Sequence, residues 1–267
     1  MKVNFADVKD QTPEICLTAV KQDGLALKYV KEQTPEICMA AVKQNGFALA
    51  FVNEQTPEIC LTAVQQDGWA LRHVKEQTPE ICMAAVKSYG AALEFVNEQT
   101  PEICLEAVRQ DGWALKYVKE QTQELCLAAV KSYGVALEFV KEQTPEICLE
   151  AVKRDWRALR YVKEQTQEIC EEAIQGDAWA IQYVKNPSQE LQIAANIYHA
   201  FDKIREYTGK DVRLMKYHKT VLACEVGTKK PIATLDKDGN VECLVDLDDW
   251  EELKEDLEDL ELTCSRD

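Results

Sequence analysis

Long apolar runs are missing from this chain. No stretch of its 267 residues approaches the roughly 18 consecutive apolar side chains that a membrane span needs. Met1–Asp10 carries no apolar signal core, so the expected location is the cytoplasm of the producing cell, or of a host cell if the chain is an effector or viral protein. Histidine is scarce, with His73, His199 and His218 the only three. A phosphate-cradling glycine loop, an H-E-x-x-H helix, a nucleophile elbow and a paired-cysteine motif are all absent. Those absences remove the familiar nucleotide, zinc-protease and hydrolase chemistries, so the expectation is a non-enzyme with no cofactor and no metal. A basic surplus is lacking too. The net charge is -16, which argues against a general nucleic-acid binder.

What is present is a repeat. Thr-Pro-Glu-Ile-Cys starts at Thr12, Thr34, Thr56, Thr78, Thr100 and Thr144, and close variants start at Thr122 and Thr166. Every step is 22 residues, and Ser188 falls on the same grid. Phe5 to Gln11 matches the second half of a unit.

One unit reads as two short helices. Thr12 is an N-cap, Pro13 suits the first helical position, and Glu14 complements the helix dipole. Ile15, Cys16, Ala19 and Val20 share one helical face. Lys21 sits near the C-terminus, and Gly24 is expected to supply the chain reversal. Ala26, Leu27 and Val30 line a second helix, with Tyr29 on its flank. Helices of two to three turns do not stand alone, so stacking must stabilise them. The predicted fold is mainly α: an α-solenoid of about eight αα-hairpin repeats over residues 1–187. Pro and Gly interruptions exclude a coiled coil.

Eight of the 11 cysteines hold one position, from Cys16 to Cys170. Neighbouring units about 8–10 Å apart are too distant for disulfides, and no C-x-x-C pair exists for zinc. They read as small core residues.

Two rows on the second helix are candidates for binding. The residue after the glycine runs Leu25, Phe47, Trp69, Ala91, Trp113, Val135, Arg157, Trp179. Four residues on, the row is Tyr29, Phe51, His73, Phe95, Tyr117, Phe139, Tyr161, Tyr183. An i, i+4 pair shares one side of a helix, so the rows form an aromatic stripe. It is either inter-unit packing or a groove of the residue types favoured at binding hot spots. A neighbouring row, Lys28, Ala50, Arg72, Glu94, Lys116, Glu138, Arg160, Gln182, alternates in charge. It suggests a ladder of ion pairs, or charges that are simply solvated. The Thr144 unit has Trp156 in place of its glycine, and the next has Ala178 with a displaced Gly176. The protein-binding candidates are Trp69, Arg72, Trp113, Lys116, Tyr117, Trp156, Arg160 and Trp179.

After Ser188 the pattern changes. Leu191 to Tyr207 keep helical spacing, which predicts a capping helix over 188–209. Val212–His218, Val221–Val226, Ile232–Leu235 and Val241–Leu247 read as strands of an antiparallel meander. A final helix over about 248–262 completes a small α+β domain at 210–267. Residues 188–267 carry 19 acidic and 11 basic side chains. Its acidic surface comprises Asp248, Asp249, Glu251, Glu252, Glu255, Asp256 and Asp259.

The run Cys16–Val30, nearly repeated at Cys104–Val118, contains Ala-Val-Lys-x-x-Gly-x-Ala-Leu or close to it. This resembles a bacterial and large-virus helical repeat family catalogued as a domain of unknown function, over about Thr12–Val184. The Thr144 unit departs from it by lacking the glycine. The resemblance implies a helical array and no particular site residues. Its members among bacterial effectors and viral proteins imply action on other proteins.

Three functional expectations follow. The first is a non-enzymatic scaffold that binds another protein, as an inhibitor or effector. The second is an acidic nucleic-acid mimic acting through the last helix. The third is direct nucleic-acid binding along Lys21, Lys43, Lys87, Lys131 and Lys31, Lys75, Lys119, Lys163, which their Glu neighbours oppose.

Overall fold

The computed structural model describes residues 10–208 continuously, and beyond them the backbone of five strands within 212–266. Side chains are described through residue 206, except 203 and 204. By contacts the chain divides into two compact units, Met1–Gln143 and Thr144–Asp267, and each is described by itself.

In the first unit, helices α1 (Pro13–Gln22), α2 (Pro35–Gln44), α3 (Pro57–Gln66), α4 (Pro79–Ser88), α5 (Pro101–Gln110) and α6 (Gln123–Ser132) recur every 22 residues. Each begins where its threonine stands. The hydroxyl of Thr12 accepts from the Ile15 amide at 3.4 Å, and that of Thr56 from the Ile59 amide at 3.3 Å. The cap satisfies one of the amides a helix start leaves free, which stabilises by about 1 kcal/mol.

The second segment of each repeat is a 3-10 helix rather than an α-helix: η1 (Gly24–Tyr29), η2 (Gly46–Phe51), η3 (Gly68–His73), η4 (Gly90–Phe95), η5 (Gly112–Tyr117) and η6 (Gly134–Phe139). Six residues at three per turn make two tight turns, and the valine expected in its apolar face, Val30, is instead the C-terminal cap. An aspartate or asparagine starts most of them; Asp67 Oδ1 accepts from the Trp69 amide at 2.9 Å.

The core lies between the two helices of each repeat. Leu27, Leu49, Leu71, Leu93, Leu115 and Leu137 are wholly buried there, alongside the Ala-Val pairs of the α-helices. Replacing one such leucine by alanine removes about 2–5 kcal/mol.

The glycine's role differs from the expected reversal, because its backbone is not left-handed. It permits close approach. A methyl on Gly24 would lie 2.5 Å from the Ala41 carbonyl oxygen of the next repeat, and one on Gly68 would lie 2.6 Å from that of Ala85. The Gly24 amide also donates to Gln44 Oε1 at 2.6 Å.

A glutamine joins successive repeats. Gln55 Nε2 donates to the His73 carbonyl at 2.9 Å, and its Oε1 accepts from the Lys75 amide at 3.0 Å. Gln11, Gln33, Gln77, Gln99 and Gln121 make the same two bonds to the following 3-10 helix end. The buried cysteine supports this bridge. Cys60 Sγ donates to Gln55 Oε1 at 3.7 Å, and Cys82 to Gln77 at 3.5 Å. All eight repeat cysteines are buried thiols rather than disulfides.

The second unit contains α7 (Pro145–Arg154), η7 (Trp156–Tyr161), α8 (Gln167–Gly176), η8 (Ala178–Tyr183) and the longer α9 (Gln189–Thr208). Gln165 repeats the bridge, to the Tyr183 carbonyl and the Lys185 amide. On the next grid position stands Pro187, whose side chain offers neither donor nor acceptor. Strands β1 (Val212–Tyr217), β2 (Thr220–Glu225), β3 (Pro231–Asp236) and β4 (Asn240–Cys243) pair antiparallel in order, and β5 (Thr263–Arg266) lies parallel to β4.

Candidate binding surface

The aromatic stripe lies on the 3-10 helices. In the first unit it forms two similar clusters 44 residues apart. Trp69 packs against Tyr89 and Phe95 of the next repeat, with ring centroids 5.5 and 5.3 Å away. Trp113 packs against Tyr133 and Phe139 at 5.7 and 5.2 Å. Phe47 meets His73 edge-on at 6.0 Å.

This pairing accounts for the two tryptophans of the first unit in the row after the glycine. The residue before a glycine in one repeat faces the residue after the glycine in the preceding one. Tyr89 and Tyr133 fill that place opposite Trp69 and Trp113. Neither tyrosine caps its 3-10 helix by a side-chain bond, as aspartate does elsewhere. The lost cap, about 1 kcal/mol, is offset by an aromatic pair of about 0.5–1.5 kcal/mol.

The clusters are packed on one side and open on the other. Trp113 remains 40% exposed, and Tyr89 and Tyr133 are similarly open, whereas Trp69 is half-buried. Cations border them. The Arg72 guanidinium lies 5.4 Å from the Phe95 ring centre, and Lys116 Nζ lies 4.5 Å from that of Tyr117. A hydrogen bond to Tyr117 holds the Lys116 ammonium above its ordinary pKa, helped by Tyr117, Glu94 and Asp111. Burial, and then the Arg72 charge, hold His73 below its ordinary value. Along the charged row, Lys28, Arg72, Lys116 and Arg160 each lie over a ring. An aromatic face attracts a cation by about 0.5–1 kcal/mol at an exposed site.

In the second unit, Trp156 stacks on Tyr183 at 5.9 Å, and Arg160 sits over Tyr161 and Tyr183 at 4.8 and 6.0 Å. Trp156 takes a place that glycine holds in earlier repeats. The next repeat carries Gly176 where others have glutamine, serine or arginine. A methyl on Gly176 would lie 3.7 Å from Trp156 Cβ, so a longer side chain there would compete with the indole. The two departures from the repeat therefore compensate each other. Trp179 is 62% exposed and meets His199 edge-on at 4.8 Å. Burial lowers the His199 pKa, opposed by Asp202 and Asp177.

Arg157 forms an ion pair with Asp155 at 2.7 Å. Lys75 and Lys119, from the rows considered for nucleic acid, donate to the Asn53 and Asn97 carbonyls of the preceding repeat at 3.0 and 2.8 Å. Asp248, Asp249, Glu251, Glu252, Glu255, Asp256 and Asp259 lie outside the described residues. Among the described residues, no group of three or more His, Cys, Asp or Glu could hold a metal, and no helix is long and apolar enough to cross a membrane.

Residue-level reading of the sequence overlooked Tyr89 and Tyr133 as partners of the tryptophans. The signal was available: Ser-Tyr-Gly follows each Gly-Trp unit among Thr56, Thr78, Thr100 and Thr122. It likewise overlooked the bridging glutamine, although in the sequence a glutamine stands every 22 residues from Gln11 to Gln165.

The model of a family described as a domain of unknown function (DUF4116) matches at residues 12–56, 34–78, 56–100, 78–123, 100–144 and 122–167. No curated protein and no solved structure matches the chain.

Proposed function

From the premise that the chain belongs to this repeat family of unknown function, we propose that it is a non-enzymatic scaffold that binds another protein through the aromatic stripe of its 3-10 helices. In this reading the repeats form an α-solenoid, followed by a small α+β region. The carrying observation is the half-open character of the Trp113 cluster. A side chain needed only for packing gains nothing from 40% exposure, whereas rigid, prepacked indole and phenol rings make good anchors for a partner. The cations Arg72 and Lys116 beside them favour a segment that joins an apolar side chain to a carboxylate. Trp156, Arg160 and Trp179 extend the same chemistry within the second unit.

The test is a peptide library selected on the intact chain, with the selected peptides then measured on Trp113→Ala/Lys116→Glu. The reading expects affinity to fall at least tenfold for most of them, as loss of one hot spot does. Peptides that bind the double variant as well as the parent would refute it.

A further inference from the structure

We propose that the α-helix face of the first unit is a self-complementary interface on which a second copy of this chain docks antiparallel, about a two-fold axis that lies in the plane of that face, perpendicular to its helices. One stripe of each α-helix forms this face. Residues at i, i+3 and i+7 share a helical side. In α5 they are Glu102, Leu105 and Arg109; in α6 they are Glu124, Leu127 and Lys131. The acidic and basic members are exposed, and the leucines are half-buried.

The pattern recurs in α1, α2 and α4, and α3 departs from it only by Gln65 in the basic place. Side by side, the helices therefore carry an acidic edge, an apolar floor of Leu or Met, and a basic edge. The floor is grooved. A groove of about 750 Å³ runs between α5 and α6, over Leu105, Leu127 and Ala128, from Glu124 to Lys131 and Arg109. Another of about 420 Å³ lies between α1 and α2, over Leu17 and Met39.

Charge complementarity selects the occupant. A ligand for this face needs basic groups opposite the Glu edge, acidic groups opposite the Lys and Arg edge, and apolar ridges at the helix spacing. The same face of a second copy, turned over by 180° about that axis, supplies all three. Its helices then run antiparallel, its Lys and Arg edge meets the Glu edge, and its row of leucines keeps the same spacing because both copies share the 22-residue repeat. This is an isologous contact, which closes on itself at two copies. The surface is distinct from the stripe on the 3-10 helices and leaves it free.

Sedimentation velocity of the intact chain tests this, together with two charge-edge variants. Lys87→Glu/Arg109→Glu/Lys131→Glu makes both edges acidic, and Glu80→Lys/Glu102→Lys/Glu124→Lys makes both basic. The expected result is a wild-type dimer, each variant alone at monomer mass, and an equimolar mixture restored to dimer mass. A wild type that stays monomeric throughout the micromolar range overturns the proposal, as do variants that dimerise unaided. If circular dichroism shows either variant unfolded, carbodiimide cross-linking of mixed ¹⁴N and ¹⁵N wild type decides. Copy-to-copy links between the Glu edge and the Lys edge support the interface. Links confined to other residues, or to single copies, refute it.

Discussion

Gly112→Ala is expected to destabilise the protein although alanine is the better helix former. Propensity alone favours alanine by about 1 kcal/mol. In the structure the new methyl would lie 2.6 Å from the Ala129 carbonyl oxygen, 3.0 Å from Tyr133 Cβ and 3.2 Å from the Tyr133 nitrogen. These atoms cannot swing aside. The Ala129 carbonyl is bonded to the Tyr133 amide at 2.9 Å as part of the end of α6. Relief requires the facing backbones to separate by roughly 0.5–1 Å, because apolar contacts settle near 3.5–4 Å. Overpacking of this kind costs about 1–3 kcal/mol net. It also weakens the Trp113–Tyr133 contact at the same junction. Repeat arrays are held by neighbour-to-neighbour interfaces, so urea unfolding followed by circular dichroism should show a lower midpoint and a broadened transition. Gly176→Ala is the control. Its methyl would meet only Trp156 Cβ, at 3.7 Å, and the position ends α8, so stability should hold or rise slightly. If Gly112→Ala matched or exceeded the wild-type midpoint, close approach would not be the reason for the glycine.

Three further outcomes are expected. Gln99→Ala removes the bonds to the Tyr117 carbonyl and Lys119 amide and should cost about 2–3 kcal/mol in urea titration, since two backbone groups lose their partner. Burial pushes the thiols of Cys60, Cys82, Cys104 and Cys126 up, so the folded chain keeps its protons where the unfolded chain releases them. Stability should therefore fall as pH rises past about 8.5, the ordinary thiol value, and a Cys104→Ala/Cys126→Ala variant should fall less steeply over that range in thermal melts. Gly176→Gln should lower the melting temperature by forcing Trp156 from its place, and Trp156→Gly/Gly176→Gln should recover most of the loss.

The repeat was legible because its signals are local. A threonine followed by Pro-Glu is enough to place an N-cap, and Ile15, Cys16, Ala19 and Val20 are enough to choose a face. The character of the second helix was not legible, since six residues are too few to separate a period of 3.0 from one of 3.6. The glycine was misread for a related reason. A turn and a close approach both call for glycine, and only the neighbouring repeat distinguishes them. The role of Gln33 has no local signal, because both its partners, the Phe51 carbonyl and the Asn53 amide, lie in the next repeat. The stripe was legible as a row of rings. Its division into clusters was not, because that depends on Tyr89 facing Trp69 across a junction.

The most direct test of the central claim is a hydroxyl-radical footprint of the intact chain, free and with a selected peptide bound. The account predicts protection of Trp113, Tyr117 and Tyr133, with Leu105 and Leu127 on the α-helix face unchanged. Protection confined to the α-helix face, or to residues remote from the stripe, would contradict it.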